Sequence, residues 1–329
     1  MTHILVTRLD NDGDVLLAGP AIRALAERSD RVTLLCGPRG RQAAELLPGV
    51  DDVLTWRAPW IDPEPAPVVP ADVLDMAAQL GALDVDRALI FGSFHQSPLP
   101  TALLLRLAGV PWVGAISVDY PGSLLDLRHH VRDDLHEVER NLSLVRAAGF
   151  APPQDDELRV EGAVAFAHDS EYVVVHPGAS VPARAWEPER LRELVDRLER
   201  PVLVTGGPGE TELTAYVAGE RGVDLGGRTT LAELAGVIAG AEAIVVGNTG
   251  PAHLAAAVGT PVVSLFAPTV PHERWRPWRV PHELLFVDVL CAGCRARECP
   301  VVGHPCLHGV TVDQVLGALE RLAPQAVVA

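Results

Sequence analysis

The strongest constraint on this chain is an alternation that runs its whole length: a short apolar run, a turn rich in Gly, Pro or Asp, then a stretch with helical spacing. Residues 4–7 (ILVT) read as a buried strand, and behind them Val15, Ala18, Ile22 and Leu25 fall on one face of a helix. Residues 31–36, 88–91 and 112–116 repeat the strand signal. Helical stretches lie over 41–47, in PTALLLRLAG, and over 133–149, where an amphipathic helix ends at Gly149. The second half repeats the pattern, with strands over 172–176, 202–205, 244–246 and 262–266 and helices starting near Glu187, Gly209, Leu231 and Pro251. Apolar strands alternating with helices form parallel sheets covered on both faces. The expected fold is α/β, with two Rossmann-like doubly wound parallel-sheet domains facing a cleft.

The alternation breaks at FAPPQDDELRVEG, residues 150–162, which is rich in Pro and acid and has no helical periodicity. This stretch reads as an interdomain linker. It sets an amino-terminal domain over 1–155 and a carboxy-terminal domain over 156–329. The final helix, near 312–322, is expected to pack back across the linker. A second Pro-rich stretch, residues 58–72, lies too early to divide domains and reads as a surface loop.

A length of 329 residues fits two domains, and 48% apolar residues suffice for their cores. The formal net charge of -16 argues against nucleic acid or anionic lipid as a partner held by bulk electrostatics. The start, MTHILVTRLDND, has too short an apolar run for a signal peptide. No window approaches the roughly 18 apolar residues of a membrane span. The expectation is a cytoplasmic protein without a transmembrane segment.

The turn after the first strand, LDNDGD, is unusual. It carries Asp10, Asp12 and Asp14 around Gly13, where nucleotide-binding folds hold phosphate. A pyrophosphate would be repelled there. A carboxylate at a strand's carboxyl end is placed to act as a general base. The same residues also suit the cap of the following helix. From this turn alone, both readings of Asp14 stand.

The second half has turns better suited to anions. HPGAS, residues 176–180, offers backbone N–H groups and Ser180, with Arg184 close behind. TGGPGE, residues 205–210, combines Gly207 with Glu210, an acceptor for ribose hydroxyls; Glu212 is a second such acceptor. NTGPAH, residues 248–253, presents Asn248, Thr249 and Gly250 at a helix start where free N–H groups face an anion. His253 reads either as a core histidine or as a ligand contact. Together the three turns indicate a nucleotide diphosphate.

Four cysteines cluster near the end, Cys291, Cys294, Cys299 and Cys306, spaced C-x2-C-x4-C-x6-C, with His304 and His308 nearby. The spacing fits a structural zinc or cluster site. It fits equally well reduced thiols that pack a loop. In either case the role is structural.

The chain resembles family 9 glycosyltransferases, best known as the bacterial heptosyltransferases of lipopolysaccharide inner-core assembly. The resemblance rests on RLDNDGDVLLAGPAIRAL, HPGASVPARAWEPERL, LVTGGPGE, the long stretch LAELAGVIAGAEAIVVGNTGPAHLAAAVGTPVVSLFAP, and the cysteine tail. It implies a GT-B fold, no catalytic metal, and transfer with inversion from a nucleotide sugar, typically ADP-heptose. It implies that the amino-terminal domain takes the acceptor, beside Asp10, Asp12 and Gly13, and that the carboxy-terminal domain takes the donor. Asp14 matches the family's base. Ser180 and Arg184 would meet the diphosphate, with the backbone at Thr249 and Gly250. Two positions depart from the family: Arg184 stands where Lys is common, and Asn248 where Asp is common. Another donor, such as a UDP- or GDP-sugar, is the nearest alternative, and a non-catalytic sugar-nucleotide-binding protein is another. The acceptor is expected to be either a natural product or a cell-envelope glycan.

Overall fold

The computed structural model describes residues 2–323. The chain divides into two compact units, with the boundary between Glu161 and Gly162.

Among the described residues, the first unit contains strands β1 (His3–Arg8), β2 (Arg31–Cys36), β3 (Asp52–Thr55), β4 (Arg87–Ile90), β5 (Trp112–Ile116) and β6 (Leu127–His129). All pair in parallel, in the order β3-β2-β1-β4-β5-β6. Its helices are α1 (Asp12–Leu16), α2 (Gly19–Ala26), α3 (Arg41–Glu45), α4 (Pro70–Gly81), α5 (Leu99–Leu107) and α6 (Glu137–Ala147). Every residue of β1 is buried, as a central parallel strand with both faces covered requires. One core forms where Leu5, Leu35, Ala88, Ile90, Val113 and Ala115 from the strands meet Leu80 of α4 and Leu104 and Leu105 of α5.

The second unit repeats the plan. Its strands are β7 (Val173–His176), β8 (Val202–Val204), β9 (Gly222–Asp224), β10 (Ala243–Gly247), β11 (Val262–Leu265) and β12 (His282–Leu285). They are again parallel, in the order β12-β11-β10-β7-β8-β9. Its helices are α7 (Pro188–Arg197), α8 (Thr211–Ala218), α9 (Leu231–Ala239), α10 (Gly250–Val258), α11 (His272–Trp275), α12 (Pro305–His308) and α13 (Val312–Leu322). The last helix, expected to turn back across the linker, joins this unit's own core. Val312, Val315, Ala318 and Leu319 pack with Leu191, Leu194 and Val263. The apolar stripe of α13 matches the gap beside α7, which decides its place.

The expected linker also behaves differently. Residues 150–161 belong to the first unit. Leu158 is buried, and Arg23 donates to the carbonyls of Asp155 and Glu157. Pro and acid there reflect irregular backbone held by an arginine, not a free tether. Residues 58–69 are irregular as expected, but Pro70 opens α4, where a proline costs no hydrogen bond.

Each sheet has one point where the strand order reverses: between β1 and β4 in the first unit, and between β7 and β10 in the second. Open parallel sheets bind ligands beyond the carboxyl ends of strands at such a point. The acid turn follows β1, and the HPGAS and NTGPAH turns follow β7 and β10.

Candidate active site

In the first unit, the buried strand β1 ends in Arg8, whose side chain is 0% exposed. A buried guanidinium needs counter-charge. Arg8 Nε pairs with Asp10 Oδ2 at 2.9 Å, Nη2 with Asp14 Oδ1 at 2.8 Å, and Nη1 with Glu137 Oε2 at 3.5 Å. Nη2 also donates to Ser93 Oγ at 3.0 Å. Gln96 donates to Asp10 Oδ1, and its own Oε1 accepts from the Ser93 N–H at 3.0 Å. The carboxylates thus crowd this turn because the strand before it delivers a buried cation.

The acids do not cap α1. The N-cap position is Asn11, whose side chain makes no capping bond, and Asp12 and Asp14 lie inside the first turn. Their charge there still complements the positive helix end. Asp12 turns toward the helix after β2 and accepts from the Ala43 N–H at 3.2 Å. Burial pushes its carboxyl up to about 6, against the pull of that hydrogen bond. Two glycines let the neighbouring loop close on the turn. A Cβ at Gly37 would stand 2.4 Å from Leu9 O, and one at Gly40 would stand 2.7 Å from Val15 Cγ2. Gly13 is buried within the same turn of α1.

Asp14 keeps 21% of its side chain exposed, whereas Asp10 keeps 9% and Glu137 none. A small cavity opens between the ends of β1 and β4, lined by Thr7, Leu9, Phe91, Gln96 and Thr101 among others. Thr7 Oγ1 is buried and makes no hydrogen bond among the described residues. The sequence reading missed Arg8, Ser93, Gln96 and Glu137. The only local signal was an arginine closing an apolar strand just ahead of three aspartates.

In the second unit, β10, β7 and β8 are neighbours, so the three anion turns stand side by side. Glu210 Oε2 accepts from the Gly207 N–H at 2.7 Å. Its carboxylate also lies across Gly178, where a Cβ would stand 2.1 Å from Glu210 Oε1. Glu210 therefore joins the turns after β7 and β8. His176, buried at the end of β7, contacts Thr205 Oγ1 through Nδ1 at 3.0 Å. Arg184 closes a 3-10 turn over Pro182–Arg184, and its Nε donates to Thr269 Oγ1 at 3.4 Å. A Cβ at Gly247 would stand 3.0 Å from Arg184 O, so the backbone of Arg184 is drawn against the end of β10. Ser180 is exposed in the loop after β7.

At the end of β10, the Asn248 amide pairs with the backbone of Ala267. Its Nδ2 donates to Ala267 O at 3.4 Å and its Oδ1 accepts from Ala267 N at 3.3 Å. This two-way pairing suits an amide and not a carboxylate, which has no proton for Ala267 O. Thr249 occupies the N-cap of α10 without a capping bond, and its buried Oγ1 has no hydrogen-bond partner among the described residues. Gly250 and Pro251 open the helix, and His253 is buried on it. This helix start offers the Gly250 N–H and the Thr249 hydroxyl to an anion, since Pro251 has no N–H and the Thr249 and Ala252 N–H groups bond Gly247 O and Thr249 O.

The four cysteines and His304 line one small cavity. Among the described residues, no three His, Cys, Asp or Glu side chains stand close enough to hold one ion. Cys306 is buried on α12, while Cys291 and Cys294 are exposed on a separate turn. The residues as placed do not fit a zinc site. No helix among the described residues is long and apolar enough to cross a membrane.

The family model described as Glycosyltransferase family 9 (heptosyltransferase) matches residues 75–303. Lipopolysaccharide heptosyltransferase 1 of Pseudomonas aeruginosa is 31% identical over 261 residues, which cover 74% of this chain and 72% of that protein. Lipopolysaccharide heptosyltransferase 3 of Escherichia coli K12 is 30% identical over 167 residues, 44% of this chain and 47% of that one, so the chain spans about half the length of that curated relative. Among solved structures, E. coli ADP-heptose lps heptosyltransferase II superposes with a TM-score of 0.76 at 20% identity, over 99% of each chain. The two doubly wound units described above are the GT-B architecture of that structure.

Proposed function

The chain belongs to glycosyltransferase family 9, and we propose that it transfers a heptose, or a related sugar, from an ADP-sugar to an acceptor hydroxyl with inversion. Asp14 is the base in this reading. The observation that carries it is the position of Asp14 at the switch point. Asp14 shares Arg8 Nη2 with Ser93, from the loop after β4, whereas Asp12 turns away toward α3. Asp14 thus lies with Ser93 around Arg8 at the carboxyl ends of β1 and β4, and its Oδ2 has no partner among the described residues.

The chemistry is a single displacement. Asp14 Oδ2 takes the acceptor hydroxyl proton as that oxygen attacks the anomeric carbon. The bond from that carbon to the diphosphate oxygen breaks, and ADP leaves with the electron pair. Charge grows on the diphosphate, so donors aimed at it lower the barrier. Arg184, Ser180, the Thr249 hydroxyl and the Gly250 N–H are the donors on hand. Glu210 and Asn248 fix the turns that carry them, with Glu210 also placed to accept from ribose. The resemblance carries no catalytic metal, and the cation facing the leaving group in this reading is Arg184.

The acceptor is a small neutral or amino-bearing molecule. Arginines that would meet a polyanion are already engaged: Arg23 with Asp155, Arg39 with Glu64, Arg41 with Glu45, and Arg128 with the carbonyls of Ser117 and Val118. Acids outnumber arginines over residues 1–161, so the field there favours a cation over a phosphorylated glycan.

Asp14→Asn keeps an acceptor for Arg8 and removes the base. Transfer should fall by about 10²–10⁴-fold, the usual loss for a general base, with ADP affinity within twofold. Turnover within threefold of the parent protein would refute the assignment.

A further inference from the structure

The site contains a buried ionic network that the displacement does not use directly. Arg8 reaches three acids: Nη2 hydrogen-bonds Asp14 and Ser93, Nη1 contacts Glu137 at 3.5 Å, and Nε lies 2.9 Å from Asp10 as an ion pair without a hydrogen bond. Glu137, the first residue of α6, lies 129 residues away in sequence and is 0% exposed. Its Oε1 has no hydrogen-bond partner among the described residues. The Arg8 contact at 3.5 Å is the link between α6 and the acid turn.

We propose that Arg8 is the positioning residue for Asp14, turning Oδ1 inward so that Oδ2 meets the acceptor hydroxyl, and that Glu137 holds Arg8 in that place from α6. This rests on the reading of Asp14 as the base. A planar guanidinium can bind three carboxyl groups along separate edges, which an ammonium cannot do with the same geometry. The charge sum supports an asymmetric division of labour. Burial raises the carboxyls of both Asp10 and Glu137, with Arg8 opposing. Asp10 accepts from Gln96 and Ser93 and forms an ion pair with Arg8 Nε at 2.9 Å. Glu137 has one long contact, and its Oε1 has no hydrogen-bond partner among the described residues. Burial works against the charge on Arg8, but Asp10, Asp14 and Glu137 outweigh it and raise its affinity for the proton. Arg140, on α6, is the remaining charged group acting on Glu137. The anchor from α6 is the contact of Glu137 Oε2 with Arg8 Nη1, which an amide oxygen can also make.

The test uses the full-length protein, ADP-heptose as donor, and whichever acceptor supports transfer. In Arg8→Gln, kcat should drop at least tenfold with the ADP-heptose KM within twofold. In Glu137→Leu, kcat should fall at least fivefold, and Glu137→Gln, which keeps an acceptor for Nη1, should restore it to within twofold. If Arg8→Gln does not fold, the Glu137 pair decides alone. Parent-like kcat or a raised ADP-heptose KM in folded Arg8→Gln, full activity in Glu137→Leu, or equal damage in Glu137→Gln and Glu137→Leu would overturn the proposal. Asp14→Asn is scored separately: if that variant is inactive while the Arg8 and Glu137 variants behave as the parent, the base reading stands and this one fails.

Discussion

Asp12 accepts a hydrogen bond from the Ala43 backbone N–H at 3.2 Å, and so ties the turn after β1 to the helix after β2. The bond comes at a cost in charge. Burial raises the Asp12 carboxyl from its ordinary 3.8 to about 6. The folded state therefore binds this proton more tightly than the unfolded chain. Its contribution to stability is present below pH 3.8 and is lost as pH rises through about 6.

Asp12→Asn keeps the acceptor for Ala43 and removes the titration. The gain should appear above pH 6 and amount to at most about 3 kcal/mol, since each tenfold difference in proton affinity between the folded and unfolded chain corresponds to about 1.4 kcal/mol. Melting temperatures measured from pH 4 to 8 should converge for the two proteins at the acid end and separate toward neutrality. Parallel curves across the range would show that Asp12 is ionised throughout.

Arg184 stands between the HPGAS turn and Thr269, where it meets the diphosphate in the proposed reaction. Arg184→Ala should weaken ADP binding by about 1.5–3 kcal/mol, the range for a hydrogen bond to a charged group. It should slow transfer further, because charge on the leaving group grows. Arg184→Lys keeps the charge without the fork and should be the mildest change. Calorimetry that finds ADP affinity unchanged in Arg184→Ala would remove Arg184 from the donor site.

An acceptor bearing an amino group should lose affinity as salt rises, since exposed charges are screened over about 8–10 Å near physiological ionic strength. Transfer from ADP-heptose to an aminocyclitol and to a deep-rough lipopolysaccharide, each followed across a salt series, separates the two acceptor classes. Turnover of the lipopolysaccharide with none of the aminocyclitol would reverse the assignment made from the paired arginines.

What could be read in the sequence depended on burial. The strands legible as apolar runs are β1, β2, β4 and β5 in one unit and β7, β8, β10 and β11 in the other, and these are the interior strands of the two sheets. The four edge strands were not legible. In β3, β6, β9 and β12 residues such as Asp52, His129, Asp224 and Glu283 interrupt any apolar run, because one side of an edge strand faces water. The anion turns could be recognised because glycine and proline act on the backbone locally. The Arg8 network could not, because Glu137 and Ser93 reach Arg8 only through the fold. The cysteine spacing was plain and the four do line one cavity, but they do not converge on a point that could hold an ion. Cys306 follows the packing of α12 into the core, while Cys291 and Cys294 follow their own turn.

The sheet borders have a consequence for the protein in concentrated solution. Each border strand is three or four residues long and carries an ionic group already engaged within the molecule. Asp52 pairs with Arg31 at 2.7 Å, and Glu283 holds Arg321 through both oxygens at 3.0 and 3.1 Å. Arg128 donates to the carbonyls of Ser117 and Val118, and Asp224 accepts from the Gly226 N–H. A strand arriving from a second molecule would find few backbone groups to pair with and would have to strip water from these charges. Short, charged borders are how sheet proteins resist edge-to-edge growth. With a net charge of -16 adding repulsion between copies, the molecule is built to resist aggregation through its sheets even when crowded.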